Sequence, residues 1–123
     1  MEPIAEHPPT EIRVSPDRRL LKLTWMEGGQ AELTAELLRV RSPSAEVQGH
    51  SPDQRRTVGG KRDVAISDIR PVGHYAIRIV FDDGHDSGLF TWRFLAQLSR
   101  ERETSWSAYL QELSEKGRSR DPG

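Results

Sequence analysis

The sequence has no cysteine among its 123 residues. This excludes disulfides, zinc sites built on thiolates, cysteine-ligated iron–sulfur clusters and a cysteine nucleophile. A long hydrophobic run is also missing, since nowhere do the roughly 18 apolar residues of a membrane-spanning helix follow one another. The acidic, proline-rich stretch 1–9 lacks the basic start and apolar run of a secretory signal. We therefore expect a cytoplasmic protein without membrane association.

A charge excess of either sign is missing too. Lys and Arg number 18 and Asp and Glu 19, which gives a net charge of −1. A domain that binds nucleic acid through bulk charge carries a clear basic excess, so nucleic acid is not the favoured partner. Cations do gather in and just before 42–62, but aromatic residues for base stacking are absent there, and we interpret a solvated basic loop. The loop contains Arg55, Arg56, Lys61 and Arg62, with Arg39 and Arg41 nearby.

The first half of the chain predicts a hairpin followed by a short helix. Residues 19–25 alternate between apolar and polar side chains, which is typical of a half-buried strand. A glycine-containing turn at 27–29 would return the chain in a second strand over 30–33. Thr34 can then cap a helix over 35–40. The side chains predicted to face the core are Leu21, Leu23, Trp25, Leu37 and Leu38.

The second half predicts more strands and then helices. Residues 63–69, 75–81 and 89–91 read as extended segments, with a break at 71–73, and together favour an antiparallel meander. The period changes to that of a helix after Thr91, and a second helical stripe follows. Strands followed by helices predict an α+β fold: an antiparallel β-sheet or meander, a short helix after the first hairpin and C-terminal helices packed on one face. The stripe consists of Trp106, Tyr109, Leu110 and Leu113.

Composition divides the chain into three parts. We expect a disordered arm over 1–15, one domain over 16–116 and a disordered tail over 117–123, because the arm and tail lack apolar periodicity. Within the domain, the polar stretch 42–62 is long for a connection and is either mobile or functional.

Known catalytic motifs do not match. The glycines near Lys61 miss the phosphate-loop spacing, and the acidic turn 82–88 misses the EF-hand glycine and the closing glutamate. None of the four histidines has an acid two residues later, and no Gly-x-Ser-x-Gly elbow is present. We predict no catalytic residue and no cofactor. A small enzyme would need a pocket that joins His74 or His85 to Asp82 or Asp86.

Four segments together resemble the DUF971 family, the gamma-butyrobetaine hydroxylase-like N-terminal domain. They are the stretches 23–28, 38–47, 71–76 and 81–92. Members form the N-terminal domain of gamma-butyrobetaine and trimethyllysine dioxygenases, are fused to P-loop ATPases of iron–sulfur cluster carriage, or stand alone as short bacterial proteins. This chain is most similar to the free-standing bacterial type. The resemblance implies the fold and carries over no activity.

The resemblance also implies a lost metal site. Zinc-binding members use three cysteines and the histidine of an Asp-Gly-His turn, and these positions correspond here to Ser42, Ser44, Val47 and His85. Hydroxyls are poor zinc ligands and valine is none, so no metal is expected. We expect a small apolar contact at Val47 in place of the metal, and His85 as a hydrogen-bonded turn residue.

Our leading hypothesis is a metal-free, non-catalytic protein-interaction module with an unknown protein partner, as a monomer or weak homodimer. Capture of the partner would use the 42–62 loop or the face that bears Trp92. The alternatives are an accessory protein for iron–sulfur or metal-cofactor handling, which rests on the family's fusions alone, and a small uncharacterised enzyme. The candidate recognition patch consists of His50, Arg55, Arg56, Lys61, Arg62, Asp83, His85 and Asp86.

Overall fold

A computed structural model describes residues 8–26, 28–44, 47 and 57–122. Six strands and three helices lie in these ranges. In chain order they are β1 (Glu11–Val14), β2 (Leu20–Thr24), β3 (Gln30–Thr34), α1 (Ala35–Val40), β4 (Ile66–Val72), β5 (Ala76–Phe81), β6 (Leu89–Thr91), α2 (Trp92–Arg100) and α3 (Arg102–Glu115). Within this part of the chain, no helix combines the length and the apolar character needed to cross a bilayer.

The strands form two antiparallel three-stranded sheets rather than one. Their orders are β1-β2-β3 and β4-β5-β6, so each sheet is a meander of neighbouring strands. Hydrogen bonds from Arg18, which lies between β1 and β2, connect the two sheets. The Arg18 Nη1 donates to the carbonyls of Ile66 and Ser67 in β4, at 3.2 Å each. The predicted α+β class, with the strands followed by helices, is confirmed.

The first hairpin and its helix form as the sequence pattern predicts. Leu21, Leu23 and Trp25 are buried, because alternate side chains of β2 point to the same face. The Thr34 hydroxyl accepts a hydrogen bond from the Leu37 N–H at 3.1 Å, which satisfies one of the free donors at the start of α1. α1 spans the predicted residues 35–40.

The second sheet differs from the prediction at one point. β4 runs through Pro71 to Val72, where a break was expected, and pairs Pro71 with Ile77. Proline is tolerated there because β4 is an edge strand and the missing N–H faces no partner strand. Gly73, with φ of +54°, then makes the turn into β5.

The main core lies between the two sheets, α1 and α2, and a small second cluster joins α1 to α3. Val40, Tyr109 and Leu113 form that cluster, with Trp106 packed against it. Leu110, predicted to be on the buried stripe, is 41% exposed. Trp92 is 6% exposed and donates through Nε1 to the His74 carbonyl, so its side chain is packed in the main core.

Parts of the expected arm and tail have hydrogen-bond partners. Residues 11–14 pair with β2, although prolines flank them and their side chains are largely exposed. In the tail, Ser119 and Arg120 accept through their carbonyls from the Gly60 and Arg62 N–H groups, at 2.9 Å each. Sequence periodicity missed these contacts because backbone pairing of exposed residues leaves no apolar pattern.

Candidate functional site

The structure brings Ser42, Ser44 and His85 together at the end of α1. The Ser42 Oγ lies 2.9 Å from His85 Nε2, and the Ser44 Oγ lies 3.4 Å from the same nitrogen. Ser42 is 0% exposed and His85 is 6% exposed. Ser42 and Ser44 follow α1 directly, and His85 lies in the turn after β5, where its own N–H donates to Asp83 Oδ1 at 3.0 Å. A buried imidazole therefore has two hydroxyl neighbours, as a buried polar group requires.

Val47 and Gly88 close this cluster, called here the Ser–His cluster (Ser42, Ser44, Val47, His85). Val47 is buried, and its N–H donates to the Ser44 carbonyl at 3.1 Å. A side chain at Gly88 would collide with the Ser42 Oγ, because a Cβ built there overlaps that oxygen. Glycine at position 88 is therefore what lets the turn after β5 lie against Ser42.

The donors of the Ser–His cluster do not fit zinc. A structural zinc site needs four nitrogen, sulfur or carboxylate donors, while this cluster supplies one imidazole nitrogen, two neutral hydroxyls and a valine. Across the described ranges, no group of three or more His, Asp or Glu side chains is placed to hold a metal ion.

Asp83 is the centre of a charged cluster beside His85. Its Oδ2 accepts from Arg39 Nε at 2.8 Å and contacts Lys61 Nζ. Burial opposes ionisation of this carboxyl, but hydrogen bonds from Lys61, the His85 N–H and Arg39 outweigh it and lower the pKa of Asp83 to about 2. Asp83 is therefore ionised throughout the physiological range.

The two cations near the predicted basic loop, Arg39 and Arg41, are not solvated. The side chains of Arg39 and Arg41 are 12% and 7% exposed. Arg41 donates through Nη2 to Glu112 Oε2 at 2.9 Å and through Nε to Ser105 Oγ at 3.2 Å, which ties the end of α1 to α3. Long cationic side chains can bury their stems when a carboxylate receives the head group.

The candidate recognition patch is assembled in part. Lys61 and Asp83 are in contact, Arg62 is paired with Asp121, and Asp86 is exposed. His85 is enclosed in the Ser–His cluster and is not available to a partner. His50, Arg55 and Arg56 lie outside the described residues.

Sequence reasoning missed two cations that share a surface with Lys61. Lys116 and Arg118 follow the end of α3 and line one cavity with Arg39 and Lys61. Gly117, with φ of +63°, turns the chain between them, so the Arg118 N–H donates to the Leu113 carbonyl at 2.8 Å. Gly117 after a helical stripe is typical of a helix end, but spacing along the chain does not show which loop the tail beyond it faces.

The histidines and acids considered for a small enzyme do not converge. His74 is exposed in the turn between β4 and β5, while His85 is buried after β5. Asp82 Oδ1 accepts from the Ala65 N–H at 3.1 Å, which gives it a structural role in the loop before β4. Asp86 is exposed. No pair of a base and an oriented acid is formed among these four residues.

Comparison with known proteins identifies relatives over most of the chain. The profile of the family described as "Gamma-butyrobetaine hydroxylase-like, N-terminal" matches residues 12–96. No curated protein matches the chain. One structure determined by NMR in solution shares 44% identity, with a TM-score of 0.81, over 96% of this chain and 93% of the other. Another NMR structure shares 41% identity, also with a TM-score of 0.81, over 94% and 86%.

A crystal structure extends this comparison. It is a protein with unknown function of the DUF971 family from Acidithiobacillus ferrooxidans, 36% identical over 80% of this chain and 98% of the other, with a TM-score of 0.64. The profile match covers more than half of the chain, and the three solved structures share its fold at above 30% identity. The chain belongs to the gamma-butyrobetaine hydroxylase-like N-terminal family, DUF971.

Proposed function

We propose that this chain is a metal-free, non-catalytic module of the bacterial cytoplasm that binds another protein through an acidic segment of that partner. The surface concerned, called here the basic surface, consists of Lys61, Lys116 and Arg118 beside the segment 57–62. The observation that carries the proposal is the convergence of these cations, from two distant parts of the chain, on one side of the molecule. Complementary charge of this kind accelerates encounter and selects among partners.

Two features of the site support a binding role over a catalytic one. The Ser–His cluster is buried, and its polar side chains contact one another. The histidines and acids suited to proton transfer lie apart. A module of this kind acts by presenting a surface, and its cations lie beside the long 42–62 connection, where binding functions often reside.

The test is capture of partners from a bacterial lysate with immobilised wild-type protein and a charge-reversed variant, Lys116→Glu with Arg118→Glu. The matched control is Arg70→Glu with Arg78→Glu, since these exposed arginines pair across β4 and β5. A captured protein is then purified and titrated against each variant at two salt concentrations. Sedimentation of the free chain shows whether a homodimer competes.

We expect a purified partner to bind wild type and the control with the same affinity. It should bind the charge-reversed variant at least about tenfold more weakly. Binding should weaken as salt is raised, because exposed charges are screened. A partner that binds the charge-reversed variant as tightly as wild type would contradict the basic surface. Failure to recover any purified stoichiometric partner would contradict the binding role.

A further inference from the structure

A cavity rich in cations lies between α1, the segment 57–61 and the residues that follow α3. Its volume is about 610 Å³. Of the described residues that line it, four are cationic and none is acidic. The chain as a whole carries a net charge of −1, so this concentration of positive charge is local. The lining residues are Arg39, Thr57, Val58, Gly59, Lys61, Lys116 and Arg118.

Arg39 is the buried member of this set. Its side chain is 12% exposed, and its Nε donates to Asp83. Its Nη1 is also buried, yet no hydrogen-bond acceptor for it lies among the described residues. A buried guanidinium nitrogen without an acceptor is costly, and native proteins seldom leave one. Arg39 therefore brings a positive charge to the wall of the cavity and retains hydrogen-bonding capacity that Asp83 does not use.

Asp83 does not neutralise the cavity. One oxygen of its carboxylate is shared by Arg39 and Lys61, and the other accepts from the His85 N–H. One carboxylate thus stands against four cations, which leaves three positive charges. This excess favours a multiply charged anion with several acceptor oxygens, and a phosphate monoester, with about two negative charges, is such an anion. The planar guanidinium of arginine matches phosphate oxygens well.

The lining also limits what the phosphate is attached to. No aromatic side chain is among the described lining residues, so a nucleobase has no surface on which to stack there. At 57–59 the wall of the cavity is backbone, and Gly59 is packed against the tail, because a Cβ built there would lie 2.8 Å from the Ser119 carbonyl oxygen. Arg118 is held over this backbone by donation through Nη1 to the Thr57 carbonyl at 3.3 Å.

We propose that this cavity is a binding site for the phosphate group of a non-aromatic phosphate monoester, held by the positive charges of Arg39, Lys61, Lys116 and Arg118. The phosphate can come from a free small molecule or from a phosphoserine side chain of a protein. This site stands on the four cations that line one cavity and does not require the partner proposed above. Phosphate binding without a partner would support it and leave the proposed function unsupported.

The test is a titration followed by amide ¹H–¹⁵N NMR of the full chain. The probes are inorganic phosphate, glycerol 3-phosphate, adenosine monophosphate, and a serine peptide with and without phosphorylation. Sodium chloride at matched ionic strength is the reference. We expect saturable shifts at Thr57, Val58 and Gly59 with phosphate and glycerol 3-phosphate, and no preference for adenosine monophosphate. Tighter binding of the phosphopeptide than of glycerol 3-phosphate would identify a protein as the source.

Variants test the four cations of the site. Arg39→Gln should weaken phosphate binding at least about tenfold, as expected for loss of a largely buried positive charge beside the ligand. Arg39→Gln also removes a partner of Asp83, so Lys116→Gln and Arg118→Gln, which change exposed side chains, serve as variants that keep the fold. Each should weaken binding several-fold. Arg78→Gln, with the same charge change on the exposed face of β5, should bind as wild type.

Three results would overturn the proposal. The first is the same shifts with sodium chloride alone, which would show general screening. The second is absence of saturable shifts at 57–59 with every phosphate probe. The third is unchanged phosphate affinity in folded Arg39→Gln, Lys116→Gln and Arg118→Gln.

Discussion

Nε2 of His85 lies 2.9 Å from the Ser42 hydroxyl, and both groups are closed off from solvent although 43 residues separate them in the chain. The contact joins the end of α1 to the turn after β5. Family resemblance implies that these two positions hold metal ligands in zinc-binding members. Under that resemblance, hydrogen bonds between hydroxyl and imidazole groups stand where those members have metal–ligand bonds.

Restoring the three thiolates should create a zinc site. Across a tetrahedral zinc ion, a thiolate and an imidazole nitrogen lie roughly 3.5 Å apart. The hydroxyls of Ser42 and Ser44 lie 2.9 and 3.4 Å from His85 Nε2, so small shifts suffice. The variant Ser42→Cys, Ser44→Cys, Val47→Cys should bind one zinc per chain and melt at a higher temperature, since metal binding is coupled to folding. Elemental analysis and thermal unfolding with and without chelator measure this.

The control is the same triple variant with His85→Gln, which should bind zinc more weakly because one ligand is lost. Wild type should contain no stoichiometric zinc. Zinc in the purified wild type would refute the metal-free interpretation. A triple variant without zinc would refute the correspondence of these positions with the family's ligands.

Gly88→Ala should destabilise the fold by about 1–3 kcal/mol, because the added methyl group overlaps the Ser42 Oγ. The loss should shrink in a Ser42→Ala background, where that oxygen is gone. Urea denaturation of the two single variants and the double variant gives the coupling energy. Additive losses of unfolding free energy in the double variant would show that the side chains at positions 88 and 42 do not clash.

Asp83→Asn should cost about 1–2 kcal/mol at pH 7, and the cost should fade in acid. Burial opposes ionisation of Asp83, but hydrogen bonds from Lys61, the His85 N–H and Arg39 favour it more strongly. The pKa of Asp83 is therefore about 2 in the folded chain, against 3.8 in the unfolded chain. A carboxyl with a lowered folded pKa stabilises fully above the unfolded pKa, and that stability disappears as pH falls through the folded pKa. Urea denaturation between pH 7 and pH 2 measures the difference.

Asp86→Asn is the matched control, because Asp86 is an exposed aspartate in the same turn as Asp83. It should change stability by less than about 0.5 kcal/mol. A difference between wild type and Asp83→Asn that stays constant from pH 7 to pH 2 would show that the charge of Asp83 does not stabilise the fold.

Trp25→Ala and Phe81→Ala should each destabilise the protein by about 3–5 kcal/mol, the range for buried aromatic side chains. Both are at most 3% exposed and belong to the main core. Met26→Ala, next to Trp25 and 82% exposed, should be close to neutral. Chemical denaturation of the three variants tests which face of each strand is buried. Near-wild-type midpoints for both aromatic variants would show that the buried and exposed strand faces are assigned the wrong way round.

Arg120→Gln should destabilise the chain by roughly 1–3 kcal/mol, because it leaves the buried Glu36 carboxylate without its cation. Arg120 donates to both oxygens of Glu36, at 2.7 and 2.8 Å. The double change Glu36→Gln with Arg120→Gln should recover part of the loss. Hydrogen exchange adds a second measurement, since the Gly60 and Arg62 amides bonded to 119–120 should exchange slowly in wild type and faster in Arg120→Gln. Fast exchange in wild type would instead support the expected disordered tail.

Local patterns predicted the elements of this fold well, and contacts between distant segments poorly. The alternation around Leu21 and the cap at Thr34 depend on neighbours in sequence, so period and residue type suffice. Pro71 was misjudged because its effect depends on whether its strand lies at a sheet edge, which only the topology decides. The positions of the Ser–His cluster came from resemblance alone, since two serines, a valine and a histidine form no motif. Lys116 and Arg118 escaped notice because a tail's position is set by tertiary contacts such as that of Arg120 with Glu36.

The pair formed by Glu36 and Arg120 also determines the order in which parts of the fold can close during synthesis on the ribosome. α1 is among the first elements to leave the ribosome, yet the cation that neutralises its buried carboxylate is made 84 residues later. At about 5–20 residues per second, the ribosome takes roughly 4–17 s to cover that interval. During this time α1 can pack on the first hairpin, but Glu36 has to stay hydrated, so the face of α1 that meets α3 closes last. Nascent chains stalled before residue 120 should therefore hold a folded first hairpin beside an open α1–α3 contact.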